Sequence, residues 1–250
     1  PEKIVVILNG CALDRFDPAR PAPTGLKRSL GFDDSDPVLV ILGRLEPQKG
    51  HRVLLEALVV VRRKFPQIRL VCVGEGTLRA ELERQARTLG LEESVRFIGY
   101  QSNVADWLAL ADVTVLPSFY EGLPLVAIES LAAGRPVVAT AVDGTPEVVV
   151  DGKTGITVPP GDARRLADAI CRLLHEPELR RGFGQAGRQW VLERFSQEKQ
   201  IQQTQEFYLY AWEQRMRGGT VRTQVAATAS GHPRGMAPLM ERARWMPKLQ

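Results

Sequence analysis

The stretch Val38-Leu39-Val40-Ile41-Leu42-Gly43-Arg44-Leu45-Glu46-Pro47-Gln48-Lys49-Gly50 runs on into residues 52–64, where Val53, Leu54, Ala57, Leu58 and Val61 recur at helical spacing. A short unbroken aliphatic run predicts a strand covered on both faces, and the amphipathic helix after it supplies one of the covers. The same unit returns along the chain. Residues 70–73, 95–98, 113–116, 137–140 and 156–158 are further short apolar runs, and Leu78, Leu82, Ala86 and Leu89 mark another amphipathic stretch over 78–89. Six such strands alternating with helices predict an α/β fold, a doubly wound Rossmann-like parallel sheet over about residues 36–175.

The flanks read differently. Residues 3–8 suit a strand or an extended linker, Asn9-Gly10 a turn, and 14–23 a proline-rich loop. Beyond the sheet, periodicity predicts helices over 163–174, 178–193 and 197–216. The expected organisation is a linker and entry segment over 1–35, the Rossmann-like domain with its C-terminal helices over 36–217, and a basic tail over 218–250. That tail is rich in Gly, Ala, Thr, Pro and Arg without a period and is expected to be disordered.

Composition narrows the function classes. The 250 residues are 44% hydrophobic and 25% charged, an ordinary globular balance. The longest apolar runs have about five residues, against the ~20 that a membrane-spanning helix needs. Cys11, Cys72 and Cys171 are too scattered for a disulfide framework or a metal knuckle, which fits a reducing, cytoplasmic setting. The net charge of +4 belongs to the end of the chain: from Arg215 on there are seven Lys or Arg residues against Glu241 alone, leaving the first 214 residues at −2. Nothing in the body forms a nucleic-acid footprint. The tail suits a solvated end, while Trp245 and the interleaved arginines keep open a peripheral contact with the inner face of a membrane.

One charge looks misplaced. Pro124 suits the first position of a helix, Gly134 its C-terminal cap, and Pro136 follows, so residues 124–133 are a short helix. Counting by threes and fours puts Leu125, Ile128, Glu129 and Ala132 on one stripe, and so sets Glu129 on the core face. A buried unpaired carboxylate costs several kcal/mol, so a polar group should meet it. In a sheet of order 3-2-1-4-5-6, ligands bind beyond the C-terminal ends of strands one and four, where the order reverses. That rule brings Arg44 and Lys49 to face Glu121 and the start of Glu129's helix.

These residue types suit a nucleoside diphosphate carrying a sugar. The arginine fork and the lysine point charge neutralise a diphosphate. Backbone N–H groups over residues 122–125, Pro124 excepted, add an anion site at a helix start. Glu129 offers two oxygens to a ribose diol and Glu121 the same to the transferred sugar.

The motifs Gly43-Arg44-x4-Lys49-Gly50, Glu121-x7-Glu129 with its Gly122, the run from Ala132 to Thr140, and Gly144-x-x-Glu147 followed by Asp151-Gly152-x-Thr154-Gly155 resemble the C-terminal half of the group 1 (family 4) retaining glycosyltransferases. The likeness covers roughly residues 3–210. It implies a GT-B architecture and transfer with retention from a nucleoside diphosphate sugar, in polysaccharide or glycolipid biosynthesis, with no metal and no other cofactor. It implies Arg44, Lys49 and Glu121 as catalytic residues. The donor-binding set would comprise these together with Gly122, Leu123, Val126, Glu129, Gly74 and Tyr100, the backbone about Phe97 to Tyr100 bordering the base. The family's N-terminal acceptor domain has no counterpart here, so the chain is expected to be half an enzyme that transfers no sugar alone, and Phe207, Tyr208, Tyr210 and Trp212 to be exposed. A non-catalytic donor-binding subunit that needs a separate acceptor chain is the alternative, and an epimerase of the same architecture a third reading.

Other motifs have plainer readings. Gly74-Glu75-Gly76 lacks the third glycine of a dinucleotide fingerprint, Arg79 standing there, and reads as a tight turn lining the cleft. Asp34-Ser35-Asp36 reads as a turn or cap rather than a metal motif. His51, His175 and His232 read as surface residues and Cys72 as a small core residue.

Overall fold

A computed structural model describes residues 4–216. The expectations for the tail, including His232 and Trp245, lie outside the described residues. The chain divides into two compact units, Asn9–Ser196 and a second made of Pro1–Leu8 with Gln197–Gln250.

The larger unit begins with a 3-10 turn at Leu13–Arg15 and a short helix α1 (Leu26–Ser29). It then alternates β1 (Val38–Leu42), α2 (His51–Lys64), β2 (Arg69–Val73), α3 (Arg79–Thr88), β3 (Val95–Gly99), α4 (Val104–Leu110), β4 (Val113–Leu116), α5 (Leu125–Ala132), β5 (Val137–Thr140), α6 (Thr145–Val148), β6 (Gly155–Val158), α7 (Ala163–His175) and α8 (Pro177–Arg194). All six strands are parallel in the order β3-β2-β1-β4-β5-β6, as expected. Register runs from Val38 against Arg69 to Leu42 against Val73 on one side of β1, and Leu39 faces Val113 on the other.

Strand residues alternate between two buried layers, which is why the runs carry no polar phase. Leu39, Ile41, Leu70, Cys72, Val113, Val115 and Val138 join a core with Leu54, Leu58 and Val61 of α2, Leu82 of α3, and Ile170 and Leu173 of α7. Val38, Val40, Val71, Val137 and Ala139 are as buried but lie outside that cluster, on the alternate phase of their strands. Elsewhere, α5 packs on α8 and α4.

The turn over residues 33–36 is the one expected from the aspartates. The fully buried Asp36 carboxylate takes Nε of Arg69 at 2.7 Å and the amide of Asp33 at 3.0 Å. Burial pushes this carboxyl up, but the Arg69 and Asp33 hydrogen bonds and the charges of Arg69 and Lys27 outweigh it and hold it below its ordinary value.

Several expectations need correction. Of the two readings for the entry segment, a strand or a linker, residues 4–8 form no strand. Pro124 caps α5 rather than opening it, with extended φ and ψ of −73° and 97°. Helix α4 was not anticipated, because seven residues show too little period, although they bury Trp107 and Leu108. In the second unit, α9 (Gln197–Met216) takes the bounds expected and has no buried residue. Tyr208 and Trp212 on it are exposed, while Phe207 and Tyr210 are half-buried.

Candidate functional site

The loops leaving β1 and β4 meet beyond the C-terminal edge of the sheet. Pro47–Lys49 makes a single 3-10 turn, and Gly50 ends it at φ 68°. A Cβ on Gly50 would fall 1.9 Å from the carbonyl oxygen of Pro117, so only glycine lets the first loop lie on the second. Gln48 then joins the loops twice: its carbonyl accepts the amide of Phe119 at 2.8 Å and its side-chain amide donates to the carbonyl of Tyr120 at 2.9 Å.

Within this joint, Nζ of Lys49 donates to Oε1 of Glu121 at 2.5 Å, and Oγ of Ser118 donates to the same oxygen at 2.7 Å. Glu121 is only 8% exposed, so one of its oxygens is committed to a partly buried ion pair. A cavity of about 250 Å³ opens beside the pair, lined by Lys49, Ser118, Glu121, Leu123, Val126 and the apolar ends of β1 and β4. The amides of Gly122, Leu123 and Leu125 at the mouth of α5 have no partner among the described residues.

Glu129 lies one turn along α5. Its helix turns differently from the sequence count: Ile128 and Ala132 are fully buried, whereas Leu125 is 44% exposed and Glu129 half-buried with it. The carboxylate therefore lies at the half-buried margin of the helix, within electrostatic reach of Arg15 and Cys11 of the entry segment, rather than in the core. Burial raises its pKa, the charge of Arg15 opposing, and among the described residues it has no hydrogen-bond or ion-pair partner. Its field reaches the entry segment: burial first, and then the charge of Glu129, pushes the Cys11 thiol up to about 11.

The other expected residues stand further out. Arg44 is exposed, with Nη2 only 3.5 Å from Gln48 Oε1. Gly74 backs the first loop, its missing Cβ falling 2.0 Å from the Gly43 carbonyl oxygen, and neither it nor Arg44 lines the cavity. Tyr100 is 76% exposed, and Gly122 has open space at its α-carbon.

His51 is a correction. It is 2% exposed, both ring nitrogens lack partners, and burial with the charge of Lys49 pushes its pKa down to about 4, so it is a neutral core residue. His175 does lie at the surface, against Phe65. Among the described residues no three His, Cys, Asp or Glu side chains gather as metal ligands, and no helix is long and apolar enough to cross a membrane.

Sequence reasoning missed Gln48, Ser118, Arg15 and Asp143, whose Oδ2 accepts the amide of Glu121 at 2.8 Å. Gln48 stands in the same loop as Arg44 and Lys49, but a neutral amide among charged residues carries no pattern that marks it.

Together these features define a doubly wound domain with a pocket at its topological switch point that holds the Lys49–Glu121 ion pair below the unpartnered amides of α5, and with the Glu129 carboxylate one turn along that helix. The chain belongs to the family described as glycosyl transferases group 1, whose model matches residues 24–190. It is 35% identical over 200 residues to the putative glycosyltransferase EpsD of Bacillus subtilis, covering 80% of this chain and 52% of that one. It is 38% identical over 195 residues to a GDP-mannose-dependent alpha-(1-6)-phosphatidylinositol monomannoside mannosyltransferase of Mycolicibacterium smegmatis, covering 74% of this chain and 50% of that one. The crystal structure of Anabaena HepE in complex with UDP superposes with a TM-score of 0.75 at 27% identity, over 82% of this chain and 57% of that chain. The chain thus spans about half the length of the curated relatives it matches.

Proposed function

We propose that the chain supplies the donor-binding half of a retaining glycosyltransferase, which moves a sugar from a nucleoside diphosphate sugar to an acceptor held by another domain or subunit. One observation carries the reading: the Lys49–Glu121 pair and its cavity lie at the switch point, and one turn along the helix that lines that cavity stands the Glu129 carboxylate, without a hydrogen-bond or ion-pair partner among the described residues. In this reading Lys49, tethered by Glu121, and the exposed Arg44 hold the diphosphate without a metal, together with the unpartnered amides of Gly122, Leu123 and Leu125. The ribose diol donates to Glu129. The second oxygen of Glu121 meets the transferred sugar, and the backbone near Gly74 and Tyr100 borders the base.

The chemistry follows from fixed charge. As the bond to the sugar breaks, negative charge builds on the departing diphosphate, and donors already aimed at it lower the barrier without reorganising. Because Lys49 is held at 2.5 Å by a buried carboxylate, its position is set before the donor arrives. In this reading the transfer takes place in the cytoplasm, and any contact with the inner face of the membrane falls to the basic tail. The relatives named include one dependent on GDP-mannose and one seen with UDP, so the base and sugar are open to assay.

The test is thermal unfolding with UDP-, GDP- and ADP-sugars. A ligand at 100 times its Kd adds ~2.7 kcal/mol, which at ~2–4 °C per kcal/mol raises the midpoint by roughly 5–10 °C. A flat response to all three classes would sink the reading.

A further inference from the structure

Asp143, in the connection from β5 to α6, is the one residue other than glycine among the described residues with a positive φ, 41°. That backbone region costs an L residue about 1–2 kcal/mol, and Asn and Asp tolerate it best. The strain coincides with a specific contact. The Asp143 carboxylate accepts the amide of Glu121, 22 positions away in sequence. Its neighbour Gly144 lies so close to the same loop that a Cβ there would stand 2.0 Å from the carbonyl oxygen of Gly122.

The connection after β5 therefore grips the β4–α5 loop at the Glu121 amide and the Gly122 carbonyl. From the opposite side, Gln48 grips it at Phe119 and Tyr120. Between these clamps lie the Glu121 side chain, bound to Lys49, and the first of the unpartnered amides. Asp143 and Gln48 thus hold one peptide plane, between Tyr120 and Glu121, from its two edges, and the close approach of Gly144 confines the plane that carries the Gly122 carbonyl and the Leu123 N–H, so the Gly122 N–H is bracketed between two restrained planes.

We infer that Asp143 is a positioning residue for donor binding: its carboxylate holds the Glu121 amide, and so aims the Gly122 and Leu123 amides at the diphosphate and keeps Glu121 against Lys49. The inference rests on the donor-binding reading above. Asp143 acts through the loop backbone. Its own charge opposes a neighbouring diphosphate, so its contribution is geometric, and a neutral side chain with an oxygen in the same place should serve as well.

The experiment titrates UDP, GDP and ADP calorimetrically into the parent and into Asp143→Asn, Asp143→Gly and Asp143→Ala, with thermal unfolding of each protein without ligand. Asp143→Asn keeps both the left-handed tolerance and the acceptor, and binds at least as tightly as the parent. Asp143→Gly relieves the strain, so it folds as well as the parent, but it loses the acceptor and binds about tenfold more weakly. Asp143→Ala binds as weakly and also melts lower. Parental affinity in Asp143→Gly, or an Asp143→Asn as weak as Asp143→Gly, overturns the inference. If the parent binds none of the three nucleotides, the donor-binding reading itself fails at that step and takes the inference with it.

Discussion

Glu129→Gln should make the protein more stable and a poorer binder. The carboxylate is half-buried, without a partner, and its pKa is raised because burial disfavours the charged form more than Arg15 favours it. A carboxyl whose folded pKa lies above its unfolded one costs stability at every pH above the folded value, and that cost disappears as pH falls through it. The neutral isostere removes the cost. A gain of roughly 0.5–1 kcal/mol at pH 7 is the usual size for relieving a functional strain, and it corresponds to roughly 1–4 °C in midpoint. The gain should shrink at pH 4, where the parent's carboxyl is largely protonated. Binding moves the other way. Two hydrogen bonds from a ribose diol to a carboxylate, at about 1.5 kcal/mol each, amount to about 100-fold in Kd, of which glutamine retains part, so a loss of roughly 10- to 100-fold is expected. The assays are thermal unfolding without ligand at the two pH values and calorimetry with the stabilising nucleotide. A variant that melts several degrees lower and binds normally would make Glu129 a structural residue and refute the reasoning.

Other outcomes follow from the same geometry. Gly50→Ala forces a Cβ to within 1.9 Å of the Pro117 carbonyl oxygen at φ 68°, so it should lose more than ~2 kcal/mol in denaturant unfolding, with donor binding falling alongside. Arg69→Met strands the fully buried Asp36 carboxylate, and should cost about 3–5 kcal/mol at pH 7 by urea midpoint. Because Asp36 is held below its ordinary value, its stabilisation is complete above about pH 4 and lost as acid titrates it, and this share of the parent's acid instability should be absent from the variant. Chelation should leave nucleotide affinity within twofold, since the diphosphate is held by cations and amides; a tenfold loss in calorimetry would require a metal.

How much was legible depended on the kind of contact. The parallel sheet could be read because the four central strands are short runs buried on both faces in alternation with helices, and its order then followed from the doubly wound rule rather than from any residue. The switch-point rule then brought Lys49 and Glu121 together across 72 positions of sequence. Helix α5 defeated the count because its apolar residues run nearly all round, so Leu125 and Glu129 fit a stripe with Ile128 as well as they fit the opposite, half-exposed face. His51 was misread although the signal was present: it precedes Leu54, Leu55 and Leu58 at three, four and seven residues, on the buried face of α2. Gln48 and Asp143 could not be read, because each acts on a backbone group of another loop and no side-chain pattern records where an amide points.

The most direct measurement is a crystal structure of the chain with the nucleotide that stabilises it most. The account predicts a diphosphate within hydrogen-bond reach of Lys49 and the Gly122 and Leu123 amides, and ribose hydroxyls on Glu129. A nucleotide seated elsewhere, for instance in the 460 Å³ hollow bordered by Lys27 and Arg135, with Glu129 still unpaired, would contradict it.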